Sequence, residues 1–177
     1  MFEIEKIIEG KEKILWQDKP KYSAYIARAF LIGFIIALII SLYILFGKQN
    51  KLWLIAPVGI LISTLIISQL NYKVTHYALT NKRAIVQYGI IGRDFKSIEY
   101  DRIQNASVKI GPIGLLFKVG SISIFTGEFE TVNTKGGAQT KSKYDTFDYV
   151  SNPYKVLKIL QTNLSYRKES LYSGKAS

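Results

Sequence analysis

Hydrophobic and polar positions divide the chain into two textures. Residues 29–47 and 52–70 are apolar runs of 19 residues each, and neither contains a charge. At ~1.5 Å rise per residue each run would span roughly 28 Å as a helix, close to the ~30 Å hydrocarbon core of a bilayer. Neither keeps the polar stripe at the 3.6-residue period that marks a surface helix of a soluble protein. The apolar part also begins too far along the chain for a signal peptide. The pattern predicts two transmembrane helices closed by the tight Lys48-Gln49-Asn50-Lys51 turn. Ala29, Gly33 and Ala37 recur every four positions in the first helix, as Gly59 and Ser63 do in the second, a spacing that permits close packing.

Beyond residue 70 the apolar runs become short and turn signals separate them. Runs at 72–80, 84–91, 94–100, 103–110, 121–126, 128–132 and 144–149 predict about seven antiparallel strands in a sandwich or small barrel. Leu115, Leu116 and Phe117, set between glycines, are expected to plug one end of it. Asn152-Pro153 marks a helix start, and Val156, Leu157, Leu160 and Leu164 give that helix one apolar face to cap the sheets. Ahead of the apolar hairpin, Ile14-Leu15-Trp16 and Pro20 read as an ordered lead-in packed on the β-rich part or the bilayer surface. The resulting division is a cytoplasmic lead-in (1–23), a two-helix transmembrane hairpin (24–70), a cytoplasmic β domain (71–165) and a flexible tail (166–177).

Charge orients this arrangement. Net charge is +11; residues 1–28 carry six basic side chains and the stretch after the second helix adds Lys73, Lys82 and Arg83, whereas the tight turn has only Lys48 and Lys51. The positive-inside rule then predicts a multi-pass protein of the cell membrane with both termini cytoplasmic. Trp16, Tyr22, Tyr25, Trp53 and Tyr72 fall where an aromatic belt would lie. The basic excess suits an anionic leaflet, and no nucleic-acid-binding motif accompanies it.

Catalytic chemistry finds little footing. The chain has no cysteine, which excludes disulfides, a thiol nucleophile and Cys-based metal sites. His76, the single histidine, falls in a predicted strand and reads as a packing residue. Asp94, Glu99 and Asp101 read as ion-pair partners of Arg93 and Arg102. Gly111-Pro112-Ile113-Gly114 lacks the Gly-Lys-Ser/Thr of a phosphate-binding loop. The expectation is a non-enzyme with no cofactor and no metal. Lys82, Arg83, Arg93, Arg102, Lys135, Lys141 and Lys143 are the candidate residues for lipid or partner binding.

The runs Tyr77-Ala78-Leu79-Thr80-Asn81-Lys82-Arg83-Ala84-Ile85-Val86, Gly89-Ile90-Ile91-Gly92-Arg93, Asp101-Arg102-Ile103-Gln104 and Gly114-Leu115-Leu116-Phe117-Lys118-Val119-Gly120 resemble the bacterial PH-like (pleckstrin-homology-like) domain of YdbS-type membrane proteins. Glu12 to Pro20 resembles the segment that precedes the helix pair in them. The resemblance covers roughly residues 12–165. It implies a membrane α-helical hairpin carrying a mainly-β PH-like domain of about seven antiparallel strands capped by a C-terminal helix, and supplies no catalytic residues. The expected role is a protein-docking or scaffold module on the lipid bilayer, with a protein partner or self-association. The alternatives are recognition of anionic phospholipid headgroups through the basic loops, and an accessory subunit of a transporter or membrane enzyme complex.

Overall fold

The computed structural model describes residues 3–8, 10–47, 50–89, 92, 94–134 and 137–172. Two long helices, α1 (Tyr22–Phe46) and α2 (Ile55–Val74), pack side by side and are joined through a single 3-10 turn at Lys51–Leu54. Asn50 starts that turn by accepting the Leu52 N–H at 3.0 Å. The helices close on Gly33, where a Cβ would lie 3.1 Å from Leu61 Cδ1 and 3.3 Å from Thr64 Cβ. Gly59 and Ser63 do not share that contact as their spacing suggests; both are exposed. Only 22% of the apolar window of the first helix and 6% of the second is buried, whereas the core helices of a soluble protein would be mostly covered. Both are candidate membrane spans by length and composition.

Among the described residues seven strands form two antiparallel sheets. The first sheet has the order β1 (Ile14–Asp18), β2 (His76–Thr80), β3 (Arg83–Tyr88), β4 (Asp94–Glu99); the second has β5 (Asn105–Lys109), β6 (Val119–Thr134), β7 (Gly137–Ser151). The strands differ from the expected set. The lead-in itself supplies β1, while residues 72–74 finish α2. The two runs at 121–126 and 128–132 are one strand, bent where the register shifts between Phe125 and Phe129. Gly127 sits in that shift with φ +83, a backbone conformation that favours glycine over any residue with a side chain.

The sheets face each other across Tyr77, Leu79, Val86, Ile98, Ile122, Ile124, Phe147 and Val150. Helix α4 (Pro153–Tyr172) closes this core with Val156 and Leu160, both essentially inaccessible to solvent. Pro153 opens α4 as expected, but Asn152 holds the start with its carbonyl, accepting the Lys155 N–H at 3.0 Å, in the left-handed conformation. The helix also runs through Tyr172, past the predicted tail boundary at 166. An ion pair from Arg167 Nε to Asp101 Oδ1 (3.2 Å) ties its last turns to the sheets, so Asp101 is matched by α4 and not by its neighbour Arg102. Residues 173–177 lie outside the described part.

The short helix α3 (Pro112–Phe117) does not plug the sandwich. Gly114 is the buried residue, because a Cβ there would lie 2.6 Å from the Val119 carbonyl oxygen, while Leu115 and Leu116 are 72% and 77% exposed.

Connectivity sets the position of everything else. Asp18 of β1 pairs with Tyr77 of β2, and α1 and α2 lie wholly in the connection between these two strands. The helix pair is therefore an insertion within the first sheet. One end of that sheet (Asp18, His76, Tyr88) lies at the feet of the helices, and the other (Ile14, Thr80, Arg83) lies about 13 Å or more away, four residues at ~3.3 Å each along β1.

Candidate functional site

The basic candidates fall into two separate places. Lys82 and Arg83 lie on the β2–β3 turn at the end of the sheet far from the helices, beside a shallow cavity of about 210 Å³ that Glu12, Glu99, Asp101 and Arg167 also line. Arg102 is close by in the 3-10 turn Tyr100–Arg102. Lys141 and Lys143 are on β7. Arg93 and Lys135 lie outside the described residues.

Arg83 has a structural occupation. Its Nε and Nη2 donate to Glu12 Oε1 and Oε2 at 2.9 and 2.8 Å, a bidentate pair, and Nη2 also reaches the Ile7 carbonyl at 3.0 Å. The Glu12 side chain is 1% exposed, so the charge is compensated inside the fold. Thr80, fully buried, donates its hydroxyl to Glu12 Oε1 at 2.7 Å and accepts the Lys82 and Arg83 N–H groups at 3.1 and 3.0 Å. Asn81 accepts the Lys13 N–H on its Oδ1 (2.9 Å) and returns its own N–H to the Lys13 carbonyl (3.0 Å). Three residues of the Leu-Thr-Asn-Lys-Arg run thus clamp the N-terminal strand to the sheet. Asn81 does this from outside the left-handed region a turn asparagine often takes. Tyr100 extends the clamp by donating its hydroxyl to the Thr80 carbonyl at 2.6 Å, and burial raises its pKa.

The second place is an arm. β5 pairs with β6 only from Ser121 to Phe125, whereas β6 and β7 continue together to Thr134 and Gly137. Beyond Phe125 the two strands form a ribbon about six residues or ~20 Å long, with no further strand on either side among the described residues. Its basic side chains face acids within the ribbon. Lys143 Nζ is 3.3 Å from Glu128 Oε2, which raises the lysine pKa, and Lys141 stands opposite Glu130. At the root of the arm Phe125 packs edge-on against Phe129 (5.7 Å between ring centres) and tilted against Tyr144 (5.3 Å). Phe129 is 62% and Tyr144 46% exposed. Sequence reasoning missed this cluster because its residues come from three predicted runs that the bulge at Gly127 brings into one ribbon.

The family model described as Bacterial PH domain matches residues 24–150, more than half of the chain. This chain belongs to the bacterial PH domain family. Comparison with curated proteins and with solved structures finds no match. The match includes both long helices and stops short of β1 and α4, so in this PH domain the first strand and the capping helix are contributed from outside the matched segment.

Where the helices meet the PH domain, tyrosines form a collar. Tyr22 and Tyr25 of α1 pack on Tyr72 of α2 (5.0 and 5.9 Å), and Tyr25 meets Tyr149 of β7 edge-on at 6.3 Å. Tyr149 is aimed there by a second register shift, opposite Ser121, which leaves it at φ +55, an uncommon conformation for an aromatic residue. Its carbonyl accepts the Lys21 N–H at 2.8 Å, fixing the start of α1. Its hydroxyl pKa is raised, chiefly by burial, with Arg28 acting the other way. A cavity of about 350 Å³ beside the collar is lined by Arg28, Thr64, Ser68 and Asp148. His76, buried, donates Nδ1–H to the Val74 carbonyl at 3.1 Å, closing the chain's turn from helix to strand. The collar joins the helices to the β domain through ring contacts and one backbone hydrogen bond.

Proposed function

We propose that this PH-domain protein is a membrane-anchored, non-catalytic docking module of the YdbS-like type. In this reading α1 and α2 cross the cell membrane, both termini and the PH domain lie in the cytoplasm, and the arm is the surface that meets a protein partner or a second copy. The observation that carries it is the arm itself. It is a two-stranded ribbon with both backbone edges unpaired by any described strand and an exposed aromatic cluster at its root. Free strand edges are templates for strand addition, and exposed aromatic residues are the common anchors of protein interfaces. On the ribbon Lys143 pairs with Glu128 and Lys141 stands opposite Glu130, an arrangement of charge that guards the edges against indiscriminate pairing.

Anionic phospholipid recognition through the basic loops has weaker support. Lys82 and Arg83 lie at the sheet end away from the helices, Arg83 is committed to Glu12, and Lys141 and Lys143 face acidic partners. A role as accessory subunit of a transporter or enzyme complex would use the same arm.

Photo-crosslinking in intact cells tests the proposal. A crosslinker at Phe129 should give one discrete adduct, either with a differently tagged second copy or with one protein at high yield, and Tyr144→Ser should abolish it. A crosslinker at Lys82 should give none. Adducts at Lys82 with none at Phe129 would remove the arm from consideration.

A further inference from the structure

Helix α3 stands beside the first turn of α1. Lys21, the residue before α1, donates its ammonium to the Phe117 carbonyl at 2.8 Å, and the two helices contact each other directly. The charge-free run of α1 begins at Ala29, seven residues after the helix start, or about 10 Å along the axis. In the proposed orientation α3 therefore lies at the depth of lipid headgroups, within reach of the acyl boundary. There it presents Leu115 and Leu116, more than 70% exposed, although nothing in the fold requires them to be apolar. Ile110 and Tyr154 extend the same surface across a cavity of about 300 Å³ that Pro153 and Lys118 also line. Lys21 and Lys118 flank it, both exposed. A small apolar face rimmed by cations suits an anionic leaflet, where leucines enter the acyl boundary and ammonium groups stay with phosphates.

We infer that α3 is a second membrane contact, a wedge whose Leu115 and Leu116 insert into the cytoplasmic leaflet beside α1. The occupant of this face is lipid. The inference rests on the membrane reading of α1 and α2, and its test separates the two.

The chain has no cysteine, so single-cysteine variants of the full-length protein can each carry one polarity-sensitive fluorophore. Leu116→Cys reports the wedge, Ile39→Cys the span, and Thr131→Cys the arm. In vesicles of phosphatidylcholine with a third phosphatidylglycerol, nitroxide groups on the lipid chains should quench the labels at 39 and 116 strongly and the label at 131 little. A nitroxide placed high on the chain should quench the label at 116 more than one placed deep. Quenching at 39 without quenching at 116 overturns the wedge and leaves the span intact. Quenching at neither overturns both. If the label at 116 is shielded only as protein density in the vesicles rises, without lipid quenching, the face is an interface between copies and the inference is wrong. Because Leu116 is exposed, its replacement leaves the fold intact, and circular dichroism of the labelled protein verifies this.

Discussion

Glu12 offers the sharpest test of how this fold is held together. Replacing it with alanine removes an inaccessible carboxylate that receives two guanidinium N–H groups and one buried hydroxyl. The loss takes the Glu12 carboxylate away from the Arg83 guanidinium. Breaking a buried ion pair from one side costs about 3–5 kcal/mol. The Arg83 side chain is 22% exposed and can recover some hydration, which favours the lower end, about 3 kcal/mol. For a domain of about 100 residues that corresponds to a fall in Tm of roughly 12–24 °C. Thermal unfolding of the full-length protein in detergent, followed by the β signal in circular dichroism, measures it. A second variant, Glu12→Ala with Arg83→Met, removes the guanidinium as well, so it should melt above Glu12→Ala alone. A Tm for Glu12→Ala within about 2 °C of the parent, or a double variant whose loss is the sum of the two single losses, would refute the clamp.

Three further outcomes are expected. Joining Lys21 to Thr75 through a short Gly-Ser linker should give a soluble, β-rich domain with a cooperative melt. Residues 75–172 alone should not, since they lack Ile4, Glu12 and Trp16, and equal cooperativity in the two would show β1 to be dispensable. Tyr100→Phe should cost about 1 kcal/mol near neutrality through the lost bond to Thr80. Burial raises the Tyr100 pKa above its ordinary 10.0, so its contribution is complete below about pH 10 and declines above it. Chemical denaturation at pH 7–11 should accordingly show a shallower alkaline loss for the variant, and a parallel curve would exclude this origin. Finally, a cysteine replacing Asn50 should react with an impermeant thiol reagent in intact cells while one replacing Gln139 stays unlabelled; the reverse pattern would invert the proposed topology.

The elements most legible in the sequence were those with a strong local signal. Unbroken apolar runs marked both helices, the break between the runs at 72–80 and 84–91 marked the β2–β3 turn, and Pro153 marked the start of α4. The strand in the lead-in was obscured because Ile14 to Asp18 show no alternation; all but Leu15 are partly buried, covered by the domain on more than one side. Leu115 and Leu116 read as core because composition carries no information about direction, and the buried position of α3 is a glycine. The basic candidates looked equivalent as charges, but their roles depend on partners far along the chain. Arg83 and Glu12 are 71 residues apart, and no local pattern announces a pair at that distance. The position of Tyr149 follows from a bulge, which the flat alternation of a strand does not foretell.

Placing the helix pair between the first and second strands has a consequence for biogenesis. In the proposed topology β1 leaves the ribosome first and waits in the cytoplasm while the hairpin is threaded into the bilayer. Its partner Asn81 follows Lys13 by 68 residues. Had only one helix crossed, the two strands would finish in different compartments and the sheet could not assemble. Completion of the domain would thus certify that both helices had been inserted, and a half-threaded chain would expose an unzipped β2 edge for quality control to recognise.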